Sequence, residues 1–501
     1  MEYRITCMPQ NQKLTARAGQ TVLEVLRTAG LQPDAPCGGK GTCGKCRVTI
    51  DGKEVLSCQT IVDRDMVVEL RSRGGNEILT GGISEAVQPD GKNEYVLAYD
   101  IGTTTVVCYL LSGITGKLLA QASTLNPQVA FGGDVISRIQ YVMETGSTEL
   151  RDAIRGALGK LAREAARKAG ITPEQITLAS VVGNTAMHHL LLGIDPTSMT
   201  VPPYMPAVSD AMVIPSAELL PIHPEGTVRI LPNIAGFVGA DTVGCLEATR
   251  FDRLEELTLM IDIGTNGEMV LGNKERRIAC STAAGPAFEG AKIQFGMRGA
   301  NGAIDHVRLE NGLPVCSVIG GGRAEGICGS GLLDAAKVLL DGGMISEMGR
   351  MEPEDVPEAN WTAYDNQPAL ILKDQVLLTQ KDVREIQLAK AAIRAGIELM
   401  ARRLGVQVED IRTVYLAGAF GCFLSPESAC GIGMIPPCLL DKIRPIGNAA
   451  GEGAKMCALS EAEFENSKKL AKGCEFLELA SMPEFQDYYV DCLTFGEEEE
   501  D

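Results

Sequence analysis

The sequence predicts a multidomain α/β protein, with a small unit of strands and one helix followed by two related α/β lobes. Three observations predict it. A strand-like run, YRITCM, is followed by an amphipathic run, AGQTVLEVLRTAGL, at the start of the chain. The strand-and-turn pattern VLAYDIGTTTVVCYLLSG at 96–113 returns as LMIDIGTNGEMVLGN at 259–273. Helical periodicity fills the intervals, as in ELRDAIRGALGKLAREAARKAG at 149–170. The 501 residues suffice for roughly two to four domains with substantial cores.

Taken in order, Val22, Leu23, Val25 and Leu26 fall at helical spacing, and Gly30 marks a stop. RVTI and DMVVEL then read as short alternating strands. Strand, helix, loop and further strands over residues 1–75 suggest a β-grasp-like domain. The Gly-rich, polar stretch from Arg71 to Glu94 supplies a linker, placed at 76–93. The repeat divides the remainder into a first lobe at 94–255 and a second at 256–501. In the second lobe, Val383, Ile386, Ala389, Ile393, Ile397, Met400 and Leu404 recur at spacings of three and four. They predict a long packed helix with Thr379 as its N-cap and Gly405 as its stop. The closing GEEEED reads as a solvated acidic tail.

Composition excludes several functions. A net charge of −19 and 4% aromatic residues argue against a nucleic-acid partner, whose phosphates would be repelled. No run of about 18 apolar residues is present, so no membrane span is expected. MEYRITCMPQNQKL lacks the apolar core of a secretory signal. With 16 cysteines, a reducing compartment is expected, and the cytoplasm is the place assigned.

Four of those cysteines, Cys37, Cys43, Cys46 and Cys58, have the spacing C-x5-C-x2-C-x11-C. Zinc sites favour paired CxxC knuckles, and only Cys43 and Cys46 make one. A [2Fe–2S] cluster needs four thiolates, three of them on one loop, close to the plant-type C-x4-C-x2-C spacing. Gly38, Gly39, Gly41 and Gly44 would let backbone N–H groups turn toward the sulfides. Cluster, zinc and bare thiols are the competing readings, and spacing and flanking elements favour the cluster. Over residues 1–75 the chain resembles ferredoxins, with one extra residue in the first gap as in the adrenodoxin-like variant. The resemblance implies that the four cysteines are iron ligands. Cys422, Cys430 and Cys438 recur every eight residues but read as small buried thiols.

The repeated Asp-Ile-Gly-Thr turns, each after an apolar strand, present N–H and O–H donors suited to a phosphate chain. Their aspartates suit Mg²⁺, held directly or through water. No G-x-x-x-x-G-K-[ST] and no strand-end GxGxxG is present, which excludes a P-loop and disfavours a dinucleotide site. The pattern resembles the superfamily of acetate and sugar kinases, heat-shock chaperones and actin (ASKHA). In that resemblance Asp100, Gly102, Thr103, Thr104 and Thr105 form the first phosphate loop. Asp262, Gly264, Thr265, Asn266 and Gly267 form the second. VYLAGAFG at 414–421 resembles the adenosine segment, with Gly418 and Gly421 next to purine and ribose. GICGSGLLD at 326–334 resembles the inter-lobe connecting helix. Glu268 reads either as a group that orients or deprotonates an attacking water or as a structural Glu. His188 and His189 read as core residues.

An electron carrier fused to an ATPase implies that nucleotide drives an unfavourable electron transfer. Moving one electron uphill by 100 mV costs about 2.3 kcal/mol, within reach of ligand-driven coupling. With NPQVAFGGDVISRI, VVGNTAMHHL, LTQKDVREIQLAKAAIRAGI and IGNAAGEGA in addition, the whole chain resembles the reductive activators of corrinoid proteins. That resemblance implies ATP-dependent return of an inactive Co(II) corrinoid to Co(I) in a methyltransferase system. A corrinoid protein and a low-potential electron donor are then the partners, and [2Fe–2S], ATP and Mg²⁺ the cofactors. A homodimer is the expected assembly. The alternatives are an activator of 2-hydroxyacyl-CoA dehydratases, a family that lacks a ferredoxin domain, a small-molecule kinase, and an ATP-dependent chaperone.

Overall fold

The first strand, β1 (Glu2–Met8), alternates buried Ile5 and Cys7 with more exposed neighbours, as a half-covered strand must. A computed structural model gives the fold and describes residues 2–8, 11–29, 31, 33, 35, 39–41, 44–70, 81–83, 85–264, 266–285, 287–352 and 360–496. β1 pairs antiparallel with β2 (Gln12–Arg17), a strand that periodicity misses because QKLTAR buries only Ala16. The first helix, α1 (Val22–Thr28), buries the four expected residues and starts with a reciprocal Thr21–Glu24 capping box. β3 (Arg47–Ile50), β4 (Lys53–Leu56) and β5 (Met66–Glu69) complete a mixed sheet in the order β2-β1-β5-β3-β4, with β1 and β5 parallel.

The first lobe opens with the meander β6 (Tyr95–Ile101), β7 (Thr105–Ser112) and β8 (Leu118–Leu125). Helices α2 (Val135–Thr145) and α3 (Thr148–Ala169) follow, then β9 (Ile176–Gly183) and α4 (Thr185–Leu192). β10 (Met212–Pro215) and β11 (Thr227–Ile230) finish a sheet ordered β10-β11-β9-β6-β7-β8, and α5 (Ala240–Ala248) leaves it. The second lobe repeats this plan. β12 (Thr258–Ile263), β13 (Gly267–Gly272) and β14 (Arg277–Thr282) form the meander. An inserted layer contains β15 (Ala303–Glu310), β16 (Leu313–Val318), β17 (Gly326–Ile327), α6 (Gly329–Asp341), β18 (Trp361–Tyr364), β19 (Gln367–Lys373) and β20 (Val376–Thr379).

The long helix α7 (Gln380–Leu404) has the expected boundaries: Thr379 caps it, and Gly405 ends it at φ 75°. After it come β21 (Thr413–Ala417), α8 (Gly418–Phe423), α9 (Pro426–Gly431) and β22 (Ile443–Gly447). Then α10 (Ala449–Leu459), α11 (Glu461–Lys472), β23 (Cys474–Phe476) and α12 (Pro483–Asp491) close the described chain. The second sheet runs β22-β21-β12-β13-β14-β23. β6 and β12 each lie between an antiparallel hairpin partner and a parallel strand, β9 and β21 respectively, so the sequence echo is a true structural duplication.

One expectation is corrected here. α6, which carries GICGSGLLD, contributes to the core of the second lobe and does not connect the lobes. The connecting helices are α5 and α10, which share one buried core with strands of both sheets, including Ala98, Tyr109, Met260 and Val270. They cross so closely that a methyl group on Gly453 would stand 2.1 Å from the Gly244 carbonyl oxygen. Both segments are Gly-rich, which is why sequence alone chose the wrong one.

The linker stretch also differs from expectation. Residues 71–80 lie outside the described residues, but 81–83 and 85–93 are laid on the lobes. Gly82 forms a bridge with Gly447, Ile83 N–H donates to the Ile446 carbonyl (3.0 Å), and Asn448 N–H donates to Gly81 O (2.8 Å). Further on, Asp90 bonds the backbone at Leu459 and Glu461, and Lys92 pairs with Glu461 at 2.6 Å. No helix among the described residues is long and apolar enough to cross a membrane.

Candidate nucleotide cleft and cluster loop

β6 and β12 end in the same turn, so Asp100 and Asp262 occupy the last-but-one position of equivalent strands. In the first turn Gly102 N–H donates to Thr105 O (2.9 Å), and in the second Gly264 N–H donates to Asn266 O (2.9 Å). Thr265 lies outside the described residues. The first loop is held from behind by three side chains. Asn126 Nδ2 donates to Gly102 O (2.8 Å), and its backbone N–H donates to Thr104 O (2.8 Å). Asn184 Nδ2 donates to Thr103 Oγ1 (2.9 Å), and the fully buried Arg138 donates to the carbonyls of Thr103 and Gly132. Burial lowers the Arg138 pKa to about 9. The segments NPQV, ISRI and VVGN thus act as braces of the loop.

Four buried carboxylates interact electrostatically near the ends of β6 and β12. Burial raises Asp100 to about 6, opposed by the 2.8 Å hydrogen bond from Asn448 Nδ2. Burial, reinforced by the Asp100 charge, raises Asp262 to about 6. Asp241, in the first turn of α5, is raised to about 7 by burial and then by Asp262. Glu268, opposite Asp262 in the β12–β13 hairpin, is held well above the carboxylate range by burial and then by Asp241 and Asp262. Mutually repelling carboxylates of this kind suit a cation with its own phosphate ligands. Among the described residues, no three of His, Cys, Asp or Glu converge closely enough to hold a metal unaided.

Asp241 was missed at the sequence level. Its only signal is an Asp at a Gly-led helix start inside an apolar run, GFVGADTVG. Gly418 opens α8 at φ +79°, where a methyl group would lie 2.6 Å from Asp262 Oδ1, so the backbone can pass the second loop only as glycine. Gly421, in α8, packs on Leu416 of the preceding strand β21. His188 and His189 are buried in the first lobe. Nδ1 of His188 pairs with Asn233, while His189 pairs with Thr185 O (2.7 Å) and accepts from Ala207 N–H (3.1 Å).

On the N-terminal domain, Cys46 and Cys58 are 1% and 6% exposed and share a small apolar cluster with Leu23 and Ala35. Cys37, Cys43 and Gly38 lie outside the described residues. Gly39, Gly41 and Gly44 have φ of +96°, +79° and +66°, conformations that side chains rarely adopt. Two buried thiols beneath a loop of left-handed glycines fit a group that bonds sulfur and accepts backbone N–H donors. Of the other cysteines singled out, Cys430 is buried as expected, Cys422 is half-buried, and Cys438 is exposed, contrary to expectation.

Comparison with known proteins covers the chain in three consecutive blocks. Residues 5–70 match the 2Fe-2S iron-sulfur cluster binding domain, 95–254 the RACo middle region, and 256–501 the C-terminal ASKHA domain of RACo. The chain is 33% identical to the corrinoid activation enzyme RamQ of Eubacterium limosum, over 95% of this chain and 96% of that one. It is 26% identical to the Co(II) methylated amine-specific corrinoid protein reductase of Methanosarcina barkeri, over 80% and 77%. The solved structure of a reductive activator for corrinoid, iron-sulfur protein superposes with a TM-score of 0.71 at 28% identity, covering 98% of both chains.

Proposed function

The chain belongs to the family of reductive activators of corrinoid proteins, and from that premise we propose that it uses ATP to drive an electron from an N-terminal cluster onto a corrinoid protein, returning Co(II) to Co(I). The observation that carries the nucleotide half is the set of four carboxylates, Asp100, Asp241, Asp262 and Glu268, gathered between duplicated turns. They repel one another, and Mg²⁺ bound with a phosphate chain would relieve that repulsion.

Residues 1–75 are the electron-carrying arm, 76–93 the linker, pinned to the lobes from Gly81 onward, and 94–255 and 256–501 the lobes that grip the nucleotide. Cys37, Cys43, Cys46 and Cys58 would hold the [2Fe–2S] cluster, which when bound supplies one electron at a time. Gly102, Thr103, Thr104 and Thr105 face one end of the phosphate chain, and Gly264, Thr265, Asn266 and Gly267 the other. Gly418 and Gly421 give the backbone room on the nucleoside side. Asp100 and Asp262 would hold Mg²⁺ directly or through water. In hydrolysis, water oxygen bonds the terminal phosphorus as the bridging P–O bond breaks. The water proton would pass to an ionised Glu268, a form that the charge of a bound cation would favour. The electron comes from a low-potential donor, and two copies of the chain form the working assembly.

The test is an anaerobic mixture of a Co(II) corrinoid protein, reductant and the cluster-loaded chain, followed by cobalt absorption. Co(I) should accumulate only with ATP, and Cys46→Ser should lower the rate to that without the chain. Equal Co(I) formation with and without ATP would refute the proposal.

A further inference from the structure

The residue before Cys46 is Lys45, and its ammonium group reaches into the second lobe. Nζ donates to the carbonyls of Ile293 (2.7 Å) and Gly296 (2.9 Å), with Gln294 O at 3.4 Å. Backbone carbonyls from one loop therefore converge on one cation. That loop is itself fixed. Asp382 Oδ1, buried at the start of α7, accepts from Gln294 N–H (2.7 Å), and Met297 N–H donates to Ile327 O (2.8 Å).

Three parts of the chain meet here around a small, partly open cavity. Ala35 and Lys45 come from the arm, Asp134 from the first lobe, and Glu289 and Arg298 from the second. The arm also faces the first lobe, where Arg27 lies within electrostatic reach of Tyr141 on α2. The arm thus lies against the second lobe through Lys45 and lines one cavity together with residues of both lobes.

The same loop leads to the phosphate site. Glu289 Oε1 stands 3.9 Å from where a methyl group on Gly264 would be, and its charge acts on Arg138, which holds Thr103 O. Seven residues further on, Gly296 packs backbone to backbone against Gly290, so the two ends of the turn move together.

We propose that this junction is a docking site for the cluster arm, latched by Lys45, and that filling of the second phosphate loop releases the arm by displacing Glu289 and the turn behind it. The inference rests on the reading of that loop as a nucleotide site. Phosphate at Gly264 brings negative charge onto the Glu289 carboxylate, and the turn that carries the Lys45 acceptors follows. While docked, the arm keeps the Lys45–Cys46 face against the ATPase, so it cannot offer that face to a partner. Nucleotide then acts by freeing the donor face.

The chain supplies its own reporter. Its single tryptophan, Trp361, lies in β18 with Tyr364, which accepts a 2.6 Å hydrogen bond from Gln294 Nε2 beside the latch. In the cluster-loaded full chain, the docked cluster should quench Trp361 emission. A non-hydrolysable Mg–ATP analogue should restore the emission, and calorimetry should show its binding in parallel. Lys45→Met should restore emission without nucleotide and raise the nucleotide-free rate of electron transfer about ten-fold, equivalent to about 1.4 kcal/mol. Lys45→Arg should keep the quenching. An unchanged visible spectrum of the cluster shows that each variant is folded. If Lys45→Met stays as quenched as the parent, the latch is overturned. If the analogue binds but leaves emission unchanged, the release step is overturned. If the analogue does not bind, the nucleotide reading itself fails, and the Lys45 variants still decide the latch.

Discussion

Asp241→Asn removes one negative charge from the cleft and leaves the shape of the side chain intact. The Asp241 carboxyl has a pKa of about 7 against an ordinary 3.8, because burial and then Asp262 disfavour its ionised form. The folded chain therefore holds this proton more tightly than the unfolded chain. Stability from this group is full below about pH 4 and is lost as pH rises toward 7. The shift of about three pH units corresponds to at most about 4 kcal/mol at pH 8, reduced by solvent in the cleft. Asp241→Asn should thus stabilise the nucleotide-free ATPase lobes at pH 8, with a smaller gain at pH 5 and none at pH 4. Denaturant titrations at the three pH values, without Mg²⁺ or nucleotide, measure this difference. Mg–ATP should reverse the ranking, because the variant lacks a charge that the cation neutralises. A variant that is destabilised equally at pH 4 and pH 8 would show that Asp241 is not held against its preference.

Other consequences can be checked in the same preparations. Asn448→Ala deletes the donor to Asp100 and the cap of α10, where Oδ1 accepts from Gly451 N–H at 2.8 Å. It should cost about 2–4 kcal/mol and move the pH midpoint of Mg²⁺-dependent nucleotide binding upward. Arg138→Met leaves the Thr103 and Gly132 carbonyls without their donor. Nucleotide affinity measured by calorimetry should fall by about ten-fold or more, while Arg138→Lys recovers part of it. Gly453→Val forces atoms into the Gly244 backbone. Its thermal unfolding should show a destabilised ATPase of roughly 3 kcal/mol or more, with the cluster spectrum of the arm unchanged.

Much of the fold was legible because its signals are local. The duplicated Asp-Ile-Gly-Thr strands and the Thr379-to-Gly405 helix are written in periodicity and caps, and both appear where expected. β2 was not legible, because an edge strand that buries only Ala16 has no apolar alternation to show. The connecting helices were misassigned because Gly-rich helix starts look alike, and only the packing of Gly244 on Gly453 distinguishes them. Within the cleft, Asp100, Asp262 and Glu268 could be named from their strands. Asp241, Arg138 and Asn448 could not, since their roles arise from contacts between segments up to 348 residues apart. Lys45 has no local signal, because its partners lie 248 and 251 positions away.

The pinned segment after Gly81 has a consequence for how the arm can be held. From Leu70 to Gly81 the chain spans 81 − 70 = 11 residues, so its ends cannot separate by more than about 40 Å. An arm confined to that radius meets its own ATPase at an effective concentration of order millimolar. A contact with a dissociation constant near 0.1 mM, about 5.5 kcal/mol of intrinsic affinity, then holds the arm about nine-tenths of the time. The junction at Lys45 can therefore be weak in isolation and still govern the resting state. A free partner at micromolar concentration competes against it at about a thousand-fold disadvantage. Release has to come from within the molecule, and its extent should not vary with the concentration of the chain.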